Sequence, residues 1–294
     1  MTTNATQHHS PIFTITQPST DQLAAFHKDG FIVFRDIFTE DALSEFLDEL
    51  VTHPDIAEFI AMTDEERGQL RDPYQHLIRD WNNKGPRSDQ LFDAPLVTAL
   101  LQAIIGDGYH FCHSTLHVSL RGTKSLRFHQ DHHHWFHENP INIAERNNNI
   151  AERNNWYIQM LYYPNGFRQG DRSLSVIPGS HRVAPTVEAT AVTADQLLSG
   201  AYDEEAGRPL QIRHLELPPG SMVCLNARTF HGVAPKPLDS EQPYRIFVNY
   251  IFKQAGPPHR WTQAIPPEWL EGASPRRQMM FDRPHYTPGC WDSV

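Results

Sequence analysis

Beyond Gly108 the chain reads as a succession of short strands. Runs rich in β-branched and aromatic residues occur at 109–120, 126–131, 156–163, 173–177, 211–217, 221–225 and 244–252, and Gly, Pro and Asn clusters separate them. The segments ahead of them read differently. Thr20 is placed to cap a helix carrying Leu23, Phe26 and His27, which stops at Gly30, a natural left-handed terminator. Phe31 to Phe34 follows as a short buried strand. Thr39 caps a second helix whose Leu43, Phe46, Leu47 and Leu50 fall on one face at i, i+3, i+4 and i+7. A third helix is expected from Pro95, in its first turn, to Gly106. Helices gathered in front of seven or eight strands predict a mainly β fold with flanking helices, a double-stranded β-helix of the jelly-roll or cupin-like kind.

No linker of low-complexity composition divides the chain, so one domain is expected over 1–294. It would have a helical flank at about 15–107, a jelly-roll core at about 108–255 and an extended C-terminal tail. No apolar run approaches the length of a bilayer-spanning helix, and the opening Met1 to Thr6 lacks the pattern of a secretory signal, so a cytoplasmic protein with no membrane partner is expected. The three cysteines are scattered and form no Cys-x-x-Cys pair, which gives neither a disulfide framework nor a zinc ribbon. A net charge of −10 weighs against nucleic acid, whose phosphates demand a basic footprint. A small molecule is the expected partner.

The run Phe128-His129-Gln130-Asp131 carries the chemistry. On a strand over 126–131, His129 and Asp131 project from the same face and set an imidazole beside a carboxylate. A second imidazole from a distant strand would complete a 2-His-1-carboxylate triad, which suits iron(II) and leaves coordination positions open. His231, in Thr229-Phe230-His231-Gly232, is the natural third ligand, because sequence-distant strands of a jelly roll face each other across the barrel mouth. Arg245, at the head of a later strand, is suited to clamp a small dicarboxylate. Taken singly each signal has a bland reading: a surface histidine beside a solvated aspartate, or a salt bridge at a strand edge.

Together these segments resemble the phytanoyl-CoA dioxygenase (PhyH-like) family of iron(II)/2-oxoglutarate oxygenases over nearly the whole chain. Phe26-His27-Lys28-Asp29-Gly30-Phe31-Ile32-Val33 is similar to the family's opening, and Phe128-His129-Gln130-Asp131 to its metal motif. Leu174-Ser175-Val176-Ile177-Pro178-Gly179-Ser180-His181-Arg182 is close to its V-I-P-G-S-H-R stretch, and Phe230-His231-Gly232 with Arg245 to its distal histidine and arginine. The resemblance implies that His129, Asp131 and His231 bind iron(II), and that Arg245 pairs with the distal carboxylate of 2-oxoglutarate. The Pro178–His181 turn is structural in that family. Val233 stands where many relatives carry a serine that helps hold the cosubstrate, so another donor is expected from the strand bearing His117 and Ser119.

The implied activity is a dioxygenase that consumes 2-oxoglutarate and O2, releases succinate and CO2, and hydroxylates an unactivated C–H bond. An intact Asp131 favours oxygen transfer over halogenation, because related halogenases replace this carboxylate with a small residue. An acidic chain with no evident basic run for a CoA phosphate favours a small molecule of specialised metabolism. The rival readings are a cupin-like metal-dependent oxygenase or isomerase without 2-oxoglutarate, and a non-catalytic binding protein on the same fold. Two features stay open. His132, His133, His134, Trp135 and His137 are either substrate contacts or solvent-facing loop residues. The tandem copy of Ile143–Asn148 at Ile150–Asn155 is either a slippage insertion in a surface loop or part of a lid.

Overall fold

The structure, a computed structural model, describes residues 10–81, 84–131, 157–182, 198, 202–203, 207–254, 270–271 and 273–281. The helical front comprises α1 (Thr20–Asp29), α2 (Glu40–Thr52), α3 (Pro54–Ala61), α4 (Asp64–Arg67), α5 (Pro86–Gln90) and α6 (Pro95–Ile104), interrupted by β1 (Phe31–Phe34) and β2 (Gln75–Arg79). The strands β3 (Tyr109–Leu120), β4 (Leu126–His129), β5 (Tyr157–Tyr163), β6 (Leu174–Val176), β7 (Tyr202–Asp203), β8 (Arg208–Pro209), β9 (Arg213–His214), β10 (Ser221–Asn226), β11 (His231–Val233) and β12 (Tyr244–Gln254) follow, and α7 (Pro275–Phe281) lies beyond them.

The strands form a six-stranded antiparallel sheet in the order β1-β10-β5-β12-β3-β2 and a four-stranded one in the order β4-β11-β6-β9, with β7 and β8 as a small separate pair. This is the mainly β, jelly-roll arrangement with flanking helices that the strand pattern predicts. Strand alternation builds its two layers of core. Ile158, Met160 and Tyr162 of β5, Met222 and Cys224 of β10, and Ile246, Val248 and Tyr250 of β12 point one way, into the helices. The intervening Leu161, Tyr163, Val223 and Leu225 point the other way and meet Leu174 and Val176 of the smaller sheet. Residues 245, 247 and 249 of β12 belong to that second face. The site lies there.

Helix starts and stops follow local chemistry. Helix α1 begins one residue earlier than Thr20 suggests: Ser19 accepts from the Gln22 amide while Gln22 accepts from the Ser19 amide, a reciprocal capping box. It ends where expected, at Gly30 with φ 84°. Helix α2 begins after Thr39, and α6 runs from Pro95 to Ile104.

Several strands depart from the reading. The strand expected over 126–131 ends at His129, because Asp131 donates its amide to Ala227 O and so leaves the ladder. The strand expected over 211–217 is reduced to β9, because its partner β6 is only three residues long and can hold little more. Strands β2, β7 and β8 have no counterpart in that reading. Both copies of the duplicated segment, and His132 to His137, lie outside the described residues. Among the described residues no helix is long and apolar enough to cross a membrane.

Candidate metal and carboxylate site

Strands β4 and β11 pair antiparallel with His231 directly opposite His129, so the two imidazoles emerge side by side, their ring centres 4.3 Å apart. Asp131, just past the end of β4, reaches between them. Its Oδ1 lies 3.4 Å from His129 Nε2 and its Oδ2 3.3 Å from His231 Nε2. One ligand atom from each of the three residues lies within 4.8 Å of the others. The local backbone sets the presentation of each ring. His129 Nδ1 donates to Arg127 O at 2.8 Å, and His231 Nδ1 donates to Thr229 O at 2.9 Å. Each Nδ1 is thereby committed, and each Nε2 is left to face the carboxylate, the tautomer a metal ligand needs.

Electrostatics bind the three groups together. Burial works against the Asp131 carboxylate, yet the charges of His129 and His231 and their hydrogen bonds hold its pKa well below the usual carboxylate range. Burial likewise works against a charged His129, but Asp131 outweighs it and raises the imidazole pKa. A divalent cation is what these donors fit: two neutral imidazole nitrogens and one carboxylate, with protons as the competing occupants.

Two residues that the sequence reading did not single out support the carboxylate. Gln159, on β5, donates from Nε2 to Asp131 Oδ2 at 2.5 Å. Asn249, on β12, donates to Gln159 Oε1 at 2.6 Å and so fixes which end of the Gln159 amide faces Asp131. Both point into the space between the sheets by strand alternation. A glutamine in the middle of the otherwise apolar Tyr157–Tyr163 run, and wholly buried, was the available signal.

The triad opens on a cavity of about 280 Å³ between the two sheets, which His117 and Arg245 also line. Arg245 is buried, and its guanidinium lies over the rings of Phe247 (5.1 Å), Tyr163 (5.6 Å) and Phe167 (6.0 Å). Its Nη1 donates to Arg172 O at 2.5 Å, while its buried Nε has no hydrogen-bond partner among the described residues. An unmet donor on a buried cation fits an anionic ligand. His117 stacks on Phe247 with ring centres 4.5 Å apart, and burial, with the Arg245 and Arg172 charges, pulls its pKa down to about 3. Ser119 sits directly across from Arg245 in the ladder, but its hydroxyl accepts from Arg172 Nε and it does not line the cavity. Val233 does line it. His181, in the Pro178–His181 turn, is held away from the triad by a hydrogen bond to His27 O at 3.1 Å.

The chain is similar in sequence and in fold to known proteins. A multifunctional dioxygenase of Aspergillus calidoustus, ausE, is 22% identical over 286 residues, covering 95% of this chain and 88% of the relative. Two solved structures share the fold. EctD from S. alaskensis, determined with 2-oxoglutarate and 5-hydroxyectoine, superimposes with a TM-score of 0.57 at 18% identity, over 84% of this chain and 80% of that one. SnoN, a non-heme alpha ketoglutarate dependent epimerase from nogalamycin biosynthesis, gives a TM-score of 0.53 at 14% identity, over 80% and 82%. The family model for phytanoyl-CoA dioxygenase matches residues 26–236, a span that begins in α1 and takes in all three candidate ligands. With most of its length inside that match, the chain belongs to the phytanoyl-CoA dioxygenase (PhyH) family.

Proposed function

We propose that this protein hydroxylates an unactivated C–H bond of a small organic molecule, in specialised metabolism. Membership of the PhyH family makes it an iron(II)- and 2-oxoglutarate-dependent dioxygenase. The observation that carries the reading is the meeting, in one cavity, of the His129–Asp131–His231 donor set with a buried arginine whose Nε is unmet among the described residues.

His129, Asp131 and His231 would hold the iron by three protein atoms and leave its other positions toward the cavity. Bound there, iron(II) with 2-oxoglutarate supplies the activation of O2, and succinate and CO2 leave as by-products. Arg245 pairs with the distal carboxylate of the cosubstrate, and the unmet Nε is the atom free to do so. His117, neutral and beside the same arginine, is the second donor to that ligand, where Val233 offers none. Gln159 and Asn249 keep the Asp131 carboxylate turned to the metal. The intact Asp131 favours oxygen transfer over halide binding. Leu77 and Leu126, both exposed, give the cavity mouth an apolar lip suited to an organic substrate.

The test is an anaerobic titration of metal-free protein with iron(II) and 2-oxoglutarate, followed by the visible charge-transfer band of the chelate. The band should form in the wild type, vanish in His129→Ala and weaken in Arg245→Ala. Stoichiometric iron without a band would move the chain to the cupin-like reading that dispenses with 2-oxoglutarate. Turnover with candidate small molecules, read by mass spectrometry, then separates gain of one oxygen atom from desaturation or cyclisation.

A further inference from the structure

Arg245 does not bring the only positive charge to its end of the cavity. Arg172, in the turn before β6, is also buried and lines the same space. Neither guanidinium forms an ion pair with a carboxylate among the described residues. Burial, with the charge of Arg245 beside it, pulls Arg172 down to about 9, and burial pulls Arg245 down to about 10. Asp72 acts on Arg172 and Asp171 on Arg245 without forming an ion pair, so the two buried cations are only partly compensated, and an anion of matching charge offsets the cost of keeping them together.

The backbone sharpens the point. Arg172 has φ 53°, a left-handed conformation that glycine adopts freely and a branched or long side chain adopts at a cost of about 1 kcal/mol or more. In that conformation its carbonyl takes the hydrogen bond from Arg245 Nη1, and its amide donates to Pro235 O at 2.9 Å. A glycine would do both. The arginine side chain is therefore an addition at a position where the backbone favours having none.

That side chain organises a relay. Its Nε donates to Ser119 Oγ at 3.2 Å and its Nη2 to Gln75 Oε1 at 2.6 Å. A guanidinium only donates, so the Gln75 amide must turn its oxygen to Arg172 and its nitrogen to His117 Nδ1, 3.2 Å away. His117 Nδ1 is then an acceptor, and the ring carries its proton on Nε2. The same ring feels the charges of both guanidiniums and, in the opposite sense, that of Asp131.

We infer that Arg172 is a positioning and specificity-determining residue for the cosubstrate. Its charge adds to that of Arg245 in drawing a carboxylate to this end of the cavity, and through Gln75 it holds His117 as an Nε2–H donor toward the same ligand. A second cation favours only a ligand whose far end is anionic, so Arg172 selects 2-oxo dicarboxylates over 2-oxo monocarboxylates. The inference rests on the 2-oxoglutarate reading above. Its rival is a purely structural Arg172, tying β2 and β3 to the carbonyls of Lys124 and Ala234.

Calorimetric titration of iron(II)-loaded protein under anaerobic conditions decides between them, with 2-oxoglutarate and 2-oxopentanoate as the two probes. Arg172→Gly keeps the left-handed backbone and the carbonyl that holds Arg245, while removing the side chain and the hydrogen bonds it makes. It should bind 2-oxoglutarate roughly ten- to a hundredfold more weakly, the usual consequence of losing a charge-assisted partner in a buried site. Its affinity for 2-oxopentanoate, which lacks the far carboxylate, should stay within about twofold of the wild type. Arg172→Lys should recover part of the preference for the dicarboxylate. Equal affinities for both probes in Arg172→Gly and wild type would overturn the inference, and so would an equal loss of both, the mark of a structural tie. A wild type that binds no 2-oxoglutarate would instead overturn the cosubstrate reading, and this inference would fall with it.

Discussion

A metal ligand is only as good as the group that aims it. Asp131 is aimed by Gln159, and Gln159 by Asn249. Gln159→Leu keeps the volume and removes the hydrogen bond. Metal affinity, read by iron(II) or cobalt(II) titration, should fall roughly ten- to a hundredfold, the usual cost of losing such a partner. Unchanged affinity would mean that the imidazoles alone fix the carboxylate. Protons compete for the same atoms, with a definite sign. Asp131 raises the His129 pKa in the metal-free protein, so His129 keeps its proton to higher pH than a free imidazole. Metal affinity should therefore climb with pH through and above the ordinary imidazole range. Asp131→Asn removes the charge responsible and should shift that climb to lower pH while weakening binding overall. The residues proposed to hold metal and carboxylate, His129, Asp131, His231 and Arg245, were legible in the sequence because they sit in short motifs or near strand heads, and His117 because it shares a strand with a candidate donor. Gln159, Asn249, Gln75 and Arg172 were not, since each acquires its role from a neighbour on another strand or from a backbone angle, and neither is written in local spacing.

Between elements the decisive contact is at Gly30. It ends α1, and its carbonyl accepts from the Asn226 amide and from Thr229 Oγ1 at 3.0 Å, tying the helical front to the turn that leads into β11. A Cβ at Gly30 would come within 2.2 Å of Thr229 Oγ1 and 2.6 Å of His181 Nδ1, at φ 84°. Thr229 also supplies the carbonyl that orients His231. Gly30→Ala should therefore cost roughly 3 kcal/mol of stability, from backbone strain and overpacking together, and should weaken metal binding as well. Gly207, at φ 63° with open space around it, is the control: Gly207→Ala should cost about 1 kcal/mol and leave the metal alone. Paired urea-unfolding and metal titrations separate the two cases, and a Gly30→Ala protein with wild-type metal affinity would detach the helical front from the site. The motif around Gly30 was readable because a left-handed helix stop has a residue signature. Strand β2 was not, since Gln75-His76-Leu77-Ile78-Arg79 is a half-exposed edge strand, held by pairing with β3 and showing no clean apolar alternation of its own.

For the molecule as a whole, two histidines contribute strongly to the response to acid. His117 is pulled to about 3 by burial and the Arg245 and Arg172 charges, and His181 to about 3 by burial and the Arg182 charge. In the unfolded chain both would titrate near 6.5. Between these values the unfolded state binds protons that the folded state refuses, so stability rises with pH across the window and is lost as pH falls from about 6.5 toward 3. Each refused proton contributes a slope of roughly 1.4 kcal/mol per pH unit. His129 acts in the opposite sense in metal-free protein. Its raised pKa adds stability that is fully present below the unfolded value and disappears as pH rises through the folded one. Bound metal takes the His129 proton away and removes that compensation. The urea midpoint of metal-loaded protein should thus fall more steeply from pH 6.5 to 5 than that of metal-free protein. His181→Gln can keep a donor to His27 O without titrating, and it should flatten both curves by about one proton. A midpoint that does not move between pH 7 and 4, in either form, would mean that the folded protein takes up these protons after all, and that the two rings are less sealed than their contacts indicate.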